Sequence, residues 1–199
     1  ELEAHLSDRV APDRARPDGA NGGDSPAWSA KRAPYVAPAR IERVRPVAPY
    51  AELHCHSAFS FLDGASTPEA LVEESARLGH EALAITDHNG FYGVVRFAEA
   101  ARAVGLPTVF GAELTVDKLD ITPAQPDPDG THLLVLARDP QGYAALARVI
   151  SEAQLAGEKG APRLSMSHLD HWLRPGDTDH WLVLTGCRKG AVPYALVHE

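Results

Sequence analysis

Three short apolar runs in this chain each end on side chains that can ligate a metal, and this recurrence constrains both fold and chemistry. The first closes on His54-Cys55-His56. The second, Ala82-Leu83-Ala84-Ile85, closes on Thr86-Asp87-His88. The third, Thr108-Val109-Phe110, closes on Gly111-Ala112-Glu113. Leu53 to His56 reads as a strand, in which side chains at i and i+2 share a face. His54 and His56 therefore point the same way and can grip one ion, while Cys55 points to the other face. A lone His-x-His is commonly two half-exposed histidines. It is the repetition at three strand ends that gives this one weight.

Helical patterns separate the runs. Thr67 caps a predicted helix with Pro68 at its first position, burying Leu71, Val72, Ser75, Ala76 and Leu78 and ending at Gly79. A second carries Val94, Phe97, Ala101 and Val104 on one face and stops at Gly105. Asp139-Pro140 opens a third with Tyr143, Leu146, Val149 and Ile150. His132 to Ala137 and Trp181 to Thr185 read as the fourth and fifth strands. Alternating strands and helices imply parallel strands with helices outside. A closed barrel of this kind needs roughly 250 residues, more than residues 50–199 supply, so the expectation is an α/β barrel left incomplete. The stretch 115–130, with Pro123, Pro126 and Pro128, reads as an inserted loop.

Residues 1–46 are rich in Pro, Ala, Gly, Arg and Asp without a sustained hydrophobic period, and are expected to be disordered or loosely attached; 47–199 form the body. The chain starts at Glu1 and its only methionine is Met166, so a piece of a longer protein is expected. No stretch approaches the length of a transmembrane span and no signal peptide is visible, so no membrane partner is expected. Two cysteines make no disulfide framework, and a cytoplasmic setting is expected. Residues 1–49 hold 8 Lys+Arg against 7 Asp+Glu, whereas residues 50–199 hold 11 against 20. An acidic body argues against a broad phosphate-binding face and is compatible with a site that concentrates cations.

In parallel α/β architectures chemistry gathers at the carboxyl ends of the strands. That rule sends His54, His56, Asp87, His88 and Glu113 to one rim, with Cys187 after the fifth strand. Imidazole, carboxylate and thiolate are ligands zinc accepts, and a carboxylate bridging two ions suits metal-assisted phosphoester hydrolysis. Plainer readings stand beside these. Asp87 reads best as a helix cap with His88 as the ligand, Asp63 as a turn aspartate before Gly64, and Cys187 as a small hydrophobe. His132 precedes its strand, so the strand-end rule gives it no support. A rival cluster, His168, Asp170 and His171 with His180 nearby, reads as a solvated helix face. His5, His80 and His198 have no evident partners, and Arg188-Lys189 reads as surface.

The wording of these segments resembles a known family. Ala51-Glu52-Leu53-His54-Cys55-His56-Ser57, followed by Phe59-Ser60-Phe61-Leu62-Asp63-Gly64, is similar to the opening of a PHP (polymerase and histidinol phosphatase) domain. Ala84-Ile85-Thr86-Asp87-His88 and Phe110-Gly111-Ala112-Glu113-Leu114 resemble its next two motifs. His132 to Arg138, Gly142-Tyr143 and Leu184-Thr185-Gly186-Cys187 resemble the version fused to bacterial C-family DNA polymerases. Together with Phe91 to Ala100, the wording is most similar to the error-prone, damage-induced branch of that family.

The resemblance runs from about Tyr50 to the end and implies a distorted (β/α)7-type barrel holding up to three ions, commonly zinc or manganese. It implies His54, His56 and Glu113 on the first ion, Glu113, His132 and Cys187 on the second, and Asp63 and His88 on the third. It also implies a parent chain that carries out damage-tolerant DNA synthesis with Mg2+, acts on DNA, meets other replication or translesion proteins, and in some members proofreads as a 3′–5′ exonuclease. Polymerase carboxylates would lie outside these residues. The family completes its metal site with a later Asp-x-His motif. None follows Cys187 before Glu199, so these residues alone are expected to hydrolyse nucleic acid poorly. Two alternatives carry the same motifs: a stand-alone phosphoesterase of the histidinol-phosphatase kind, and a structural module with a vestigial metal site.

Overall fold

The computed structural model describes residues 35–117, 130–158, 160–187 and 189–198. Five strands lie side by side in chain order in one sheet: β1 (Ala51–Glu52), β2 (Ala82–Ile85), β3 (Thr108–Val116), β4 (Thr131–Ala137) and β5 (Trp181–Leu184). Helices α1 (Pro68–Leu78), α2 (Val94–Val104), α3 (Pro140–Ala156), α4 (Met166–Trp172) and α5 (Ala191–His198) connect or flank them. The result is an α/β fold in which the sheet forms part of a barrel.

Local chemistry explains the helix boundaries. The Thr67 side chain accepts a hydrogen bond from the Ala70 N–H, Pro68 fills the first turn, and Gly79 ends α1 in the left-handed conformation at φ 73°. The Asp139 carboxylate accepts from the Gln141 and Gly142 N–H groups at the start of α3. Each device satisfies backbone groups that the helix itself leaves without partners.

The sheet departs from the all-parallel expectation. β1, β2 and β3 are mutually parallel, but β4 runs antiparallel to both β3 and β5. β3 uses its first half, Thr108 to Phe110, against β2 and its second half, Gly111 to Val116, against β4. A parallel neighbour needs a crossover connection, whereas an antiparallel one needs only a loop. The proline-bearing stretch read as a loop largely lies outside the described residues (118–129), but the register across it, Val116 opposite Thr131, is that of a strand turning back.

The first strand is shorter than expected, and Leu53 to His56 lie beyond it. Thr86 takes over there. Its hydroxyl accepts from the Cys55 N–H at 3.0 Å, and its own N–H donates to the Cys55 carbonyl at 2.9 Å. A side-chain oxygen thus replaces one rung of the ladder and carries His54 and His56 past the strand end.

Two apolar clusters support the sheet. Val72, Leu83, Ile85, Val94, Phe97, Ala100, Ala101 and Leu106 pack α1 and α2 against β2, with Cys55 partly buried against them. Ala112, Leu114, Val116 and Val135 meet Leu146, Val149 and Ala153 of α3, with Leu164, Leu169 and Trp181. Phe91 touches both. Alternation along β3 then forces Glu113 and Thr115 to the opposite face.

Within the expected loose extension, residues 35–46 are described. They have no regular secondary structure but touch the body at three points. The Tyr35 hydroxyl donates to Glu73 at 2.9 Å, the Arg43 guanidinium to the Val104 carbonyl at 3.3 Å, and the Val44 N–H to the Arg77 carbonyl at 2.7 Å. Residues 1–34 lie outside the described residues.

Candidate metal centre

Four imidazoles and two carboxylates converge at one rim of the sheet. Glu113, on the face of β3 opposite the core, is 2% exposed. Its Oε2 lies 2.5 Å from His54 Nε2 and 2.8 Å from His56 Nε2, and its Oε1 lies 2.6 Å from His132 Nδ1. Asp63 Oδ2 contacts His56 Nδ1 and lies 3.3 Å from His88 Nε2. The rings form a continuous row, with centroids 5.0 Å apart for His54–His56, 4.4 Å for His56–His88 and 5.5 Å for His88–His132. Two sets have ligand atoms close enough to share an ion: His54, His56 and Glu113, and His56, Asp63 and His88.

β4 brings His132 to this rim because it runs backwards. Its first residues, not its last, lie beside the carboxyl end of β3, with His132 opposite Thr115 and one step from Glu113 on the same face. The strand-end rule missed His132 by assuming a parallel strand. Cys187 sits on the segment that carries Lys189, whose carbonyl accepts from the His132 N–H at 2.8 Å. Its sulfur is exposed, accepts from the Lys189 N–H at 3.4 Å, and belongs to neither three-ligand set.

Asp87 is not a helix cap. Helix α2 begins at Val94 behind Gly93, without a side-chain cap. The Asp87 carboxylate is buried and accepts three hydrogen bonds from the turn after His56: from the Ser57 N–H at 2.7 Å, the Ser57 hydroxyl at 2.7 Å and the Ser60 hydroxyl at 2.8 Å. This clamp fixes the turn that carries Asp63. Gly64 completes it, since a Cβ there would meet the Ser57 carbonyl oxygen at 1.9 Å. Leu62, within the turn, is held in the left-handed conformation at φ 65°, which an L residue adopts only against a steric penalty. Asn89, also left-handed at φ 51°, accepts from the Thr115 N–H and donates to the Thr115 hydroxyl, tying the segment after His88 to β3 beside Glu113. Ser57, Ser60 and Asn89 carry no sequence signal of their own, because their partners are 26 to 30 residues away.

Charge coupling follows this geometry. Burial pushes the Glu113 carboxyl up, but hydrogen bonds from His132, His54 and His56 outweigh it and hold the group well below the usual carboxylate range. Burial pulls the His56 imidazole down, but hydrogen bonds and charge from Glu113 and Asp63 outweigh it and raise it. His88 is lowered by burial and by the neighbouring His56. Cys55 is pushed up to about 11 by burial and the charges of Glu52 and Asp87, so it remains a thiol.

The sign for His56 fixes a pH dependence. A raised folded pKa contributes stability that is complete below the unfolded value, about 6.5, and is lost as pH rises through the folded one. In EDTA the thermal midpoint of wild type relative to His56→Ala is expected to fall as pH rises above about 6.5; taking the difference removes most of the opposing contribution of the lowered His88 imidazole. Added Zn2+ or Mn2+ should reverse the trend, because metals compete best against protons at higher pH. Differential scanning calorimetry with and without metal checks both signs.

The donor set fits a divalent cation. Oxygen and imidazole ligands meet at one carboxylate, and His88 Nδ1 is buried with no hydrogen-bond partner among the described residues. Among the described residues the rival histidines do not form such a set. His168 stacks on Trp172 at 4.7 Å, His180 Nδ1 lies 2.6 Å from Asp139, and His80 Nδ1 lies 3.2 Å from Ser75. His5, the side chain of His198 and Arg188 lie outside the described residues.

Residues 52–199 match the PHP domain. The chain belongs to the PHP domain family. It is 47% identical to an error-prone DNA polymerase of Nocardia farcinica over 100% of this chain and 20% of the relative. It is 57% identical to an error-prone DNA polymerase of Mycobacterium tuberculosis over 87% of this chain and 15% of the relative. The chain thus spans a fifth or less of these curated relatives. Among solved structures, a candidate metal-dependent phosphoesterase from Bifidobacterium adolescentis is 31% identical over 56% of this chain and 35% of that one, with a TM-score of 0.41. No helix among the described residues is long and apolar enough to cross a membrane.

Proposed function

We propose that this PHP domain is part of an error-prone DNA polymerase that performs damage-tolerant synthesis, and that its rim is a metal-dependent phosphodiesterase site acting on a 3′ DNA end. The observation that carries the reading is the buried Glu113 carboxylate, faced by three imidazoles through both of its oxygens. Such a group is suited to bridging two cations. His54, His56 and Glu113 would hold one ion, Glu113 and His132 with Cys187 a second, and Asp63 with His88 a third; zinc and manganese fit this donor set. Bound cations would polarise a phosphoryl group and acidify water at the rim.

The chain's own residues supply position. Asp87 and Gly64 fix the turn that carries Asp63, Asn89 locks the segment after His88 to β3, and Thr86 sets the exit of the His54–His56 segment. The partner would be DNA, reached through the parent chain, with replication or translesion proteins beside it, in the cytoplasm where that DNA lies. Template-directed synthesis by the parent would use Mg2+ at carboxylates elsewhere in the protein.

The test uses the full-length protein and 5′-labelled single-stranded DNA with Mn2+ or Zn2+. Stepwise shortening from the 3′ end is expected, lost at least about a hundredfold in His54→Ala, while primer extension persists. Shortening that is equal in wild type and His54→Ala would place the hydrolysis elsewhere.

A further inference from the structure

The turn that carries Asp63 presents two large apolar side chains to solvent at the edge of the ligand cluster. Phe61 is 64% exposed and Leu62 60% exposed. Neither belongs to an apolar cluster of the described residues. Phe59, on the same turn, differs: its ring lies 5.9 Å from the Arg96 guanidinium, which also donates to Glu69 at 2.5 Å. Exposed apolar residues on a mobile loop would need no explanation, but this turn is braced from beneath. The Asp63 and Gly64 N–H groups donate to the Ser60 carbonyl at 3.0 Å and 2.8 Å, the Ser60 N–H to the Ser57 carbonyl at 2.9 Å, and the Ala58 N–H to the Ser66 carbonyl at 2.7 Å. Asp87 clamps Ser57 and Ser60 as well. The turn therefore holds Leu62 in a left-handed conformation while leaving it and Phe61 in water. Strain kept at a rigid site calls for a functional account.

We infer that Phe61, flanked by Leu62, is a stacking platform for the terminal nucleobase of a single-stranded DNA whose end phosphodiester lies at the Asp63–His88 side of the cluster. This rests on the proposed phosphodiesterase reading and adds what holds the substrate. The body from residue 50 onward carries 11 Lys+Arg against 20 Asp+Glu. Broad electrostatic capture of a phosphate backbone is therefore unfavourable here. A nucleotide drawn to cations at Asp63 would gain its remaining affinity from apolar contact with its base, and every base has a face that stacks on an aromatic ring without sequence preference. Phe61 stands two residues from Asp63 on the same braced turn. The braced backbone leaves only the side-chain torsions of Phe61 to be ordered on binding.

The experiment is site-resolved photo-crosslinking with the full-length protein. The probe is a single-stranded oligonucleotide carrying 5-iodouracil at its 3′ terminus and a non-hydrolysable terminal linkage; a second probe carries the iodinated base in its interior. The expected result is a terminal crosslink mapped to Phe61 by mass spectrometry. It should fall at least about tenfold in Phe61→Ala, persist in Phe61→Trp, and be absent with the interior probe. Metal content should be unchanged in both variants. A terminal crosslink that maps elsewhere, or that survives Phe61→Ala, overturns the inference. So does a Phe61→Ala protein that loses thermal stability with its crosslinks unaltered, which would show Phe61 covered by another part of the parent chain. The two readings fail separately: His54→Ala with undiminished hydrolysis removes the proposed active site, whereas intact, metal-dependent hydrolysis without a Phe61 crosslink removes only the platform.

Discussion

Glutamine in place of Glu113 is expected to lower the affinity of the full-length protein for Zn2+ or Mn2+ by at least about a hundredfold. Loss of even an outer-shell partner weakens metal sites by roughly 10–100-fold, and Glu113 would be a direct ligand. Its carboxylate faces His54 and His56 through one oxygen and His132 through the other, and it is 2% exposed, so no water can take over the role. Glutamine keeps the shape but turns one of those faces into an N–H donor and removes the charge. The change also sets at least one of the three imidazoles against an N–H donor and leaves them without the shared negative charge, and removing one member of a buried charged set typically costs about 3–5 kcal/mol. Isothermal titration calorimetry alongside urea unfolding separates the two effects. Wild-type metal affinity in Glu113→Gln would exclude a bridging role for this carboxylate.

Alanine at Asp87 is expected to destabilise the domain by about 4 kcal/mol or more, although Asp87 itself touches none of the proposed ligand atoms. Hydrogen bonds to a charged group each contribute about 1.5–3 kcal/mol, and Asp87 accepts three, at 2.7 Å, 2.7 Å and 2.8 Å, from donors that are themselves buried. Its removal leaves the Ser57 N–H and the two serine hydroxyls facing a cavity. The turn that positions Asp63 would then be held mainly by its own backbone bonds, so metal affinity at the Asp63–His88 side should fall with stability. Chemical denaturation of Asp87→Ala gives the magnitude. A change below about 1 kcal/mol would mean the turn does not depend on the clamp.

The contrast between Asp87 and His88 shows what a single sequence can convey. His54, His56, His88 and Glu113 were legible because each follows an apolar run, and alternation along a strand carries its own face. Asp87 looked like a cap because a helix pattern follows it, but α2 starts at Val94, and the partners of Asp87 lie 27 and 30 residues earlier in the chain. Periodicity reports local structure and cannot report such pairings. His132 was hidden for a different reason. The strand was recognised but its direction was not, and direction decides which end reaches the rim. The connection read as a loop without a helix was the available signal, since parallel neighbours need a crossover. Asp63 and Cys187 were distinguishable from an ordinary turn aspartate and an ordinary small hydrophobe only through the family resemblance. The structure brings Asp63 against His56 and His88, and leaves the Cys187 thiol outside the three-ligand sets.

The central claim, that this rim is a shared multi-metal site, is tested most directly by anomalous diffraction from crystals of the full-length protein grown with Mn2+ or Zn2+. The account predicts one anomalous peak within about 2.0–2.2 Å of His54, His56 and Glu113, a second beside Glu113 and His132, and a third beside Asp63 and His88, all removed by Glu113→Gln together with His88→Ala. Anomalous density absent from these residues, with ions bound instead at the His168–His171 helix or elsewhere, would contradict it.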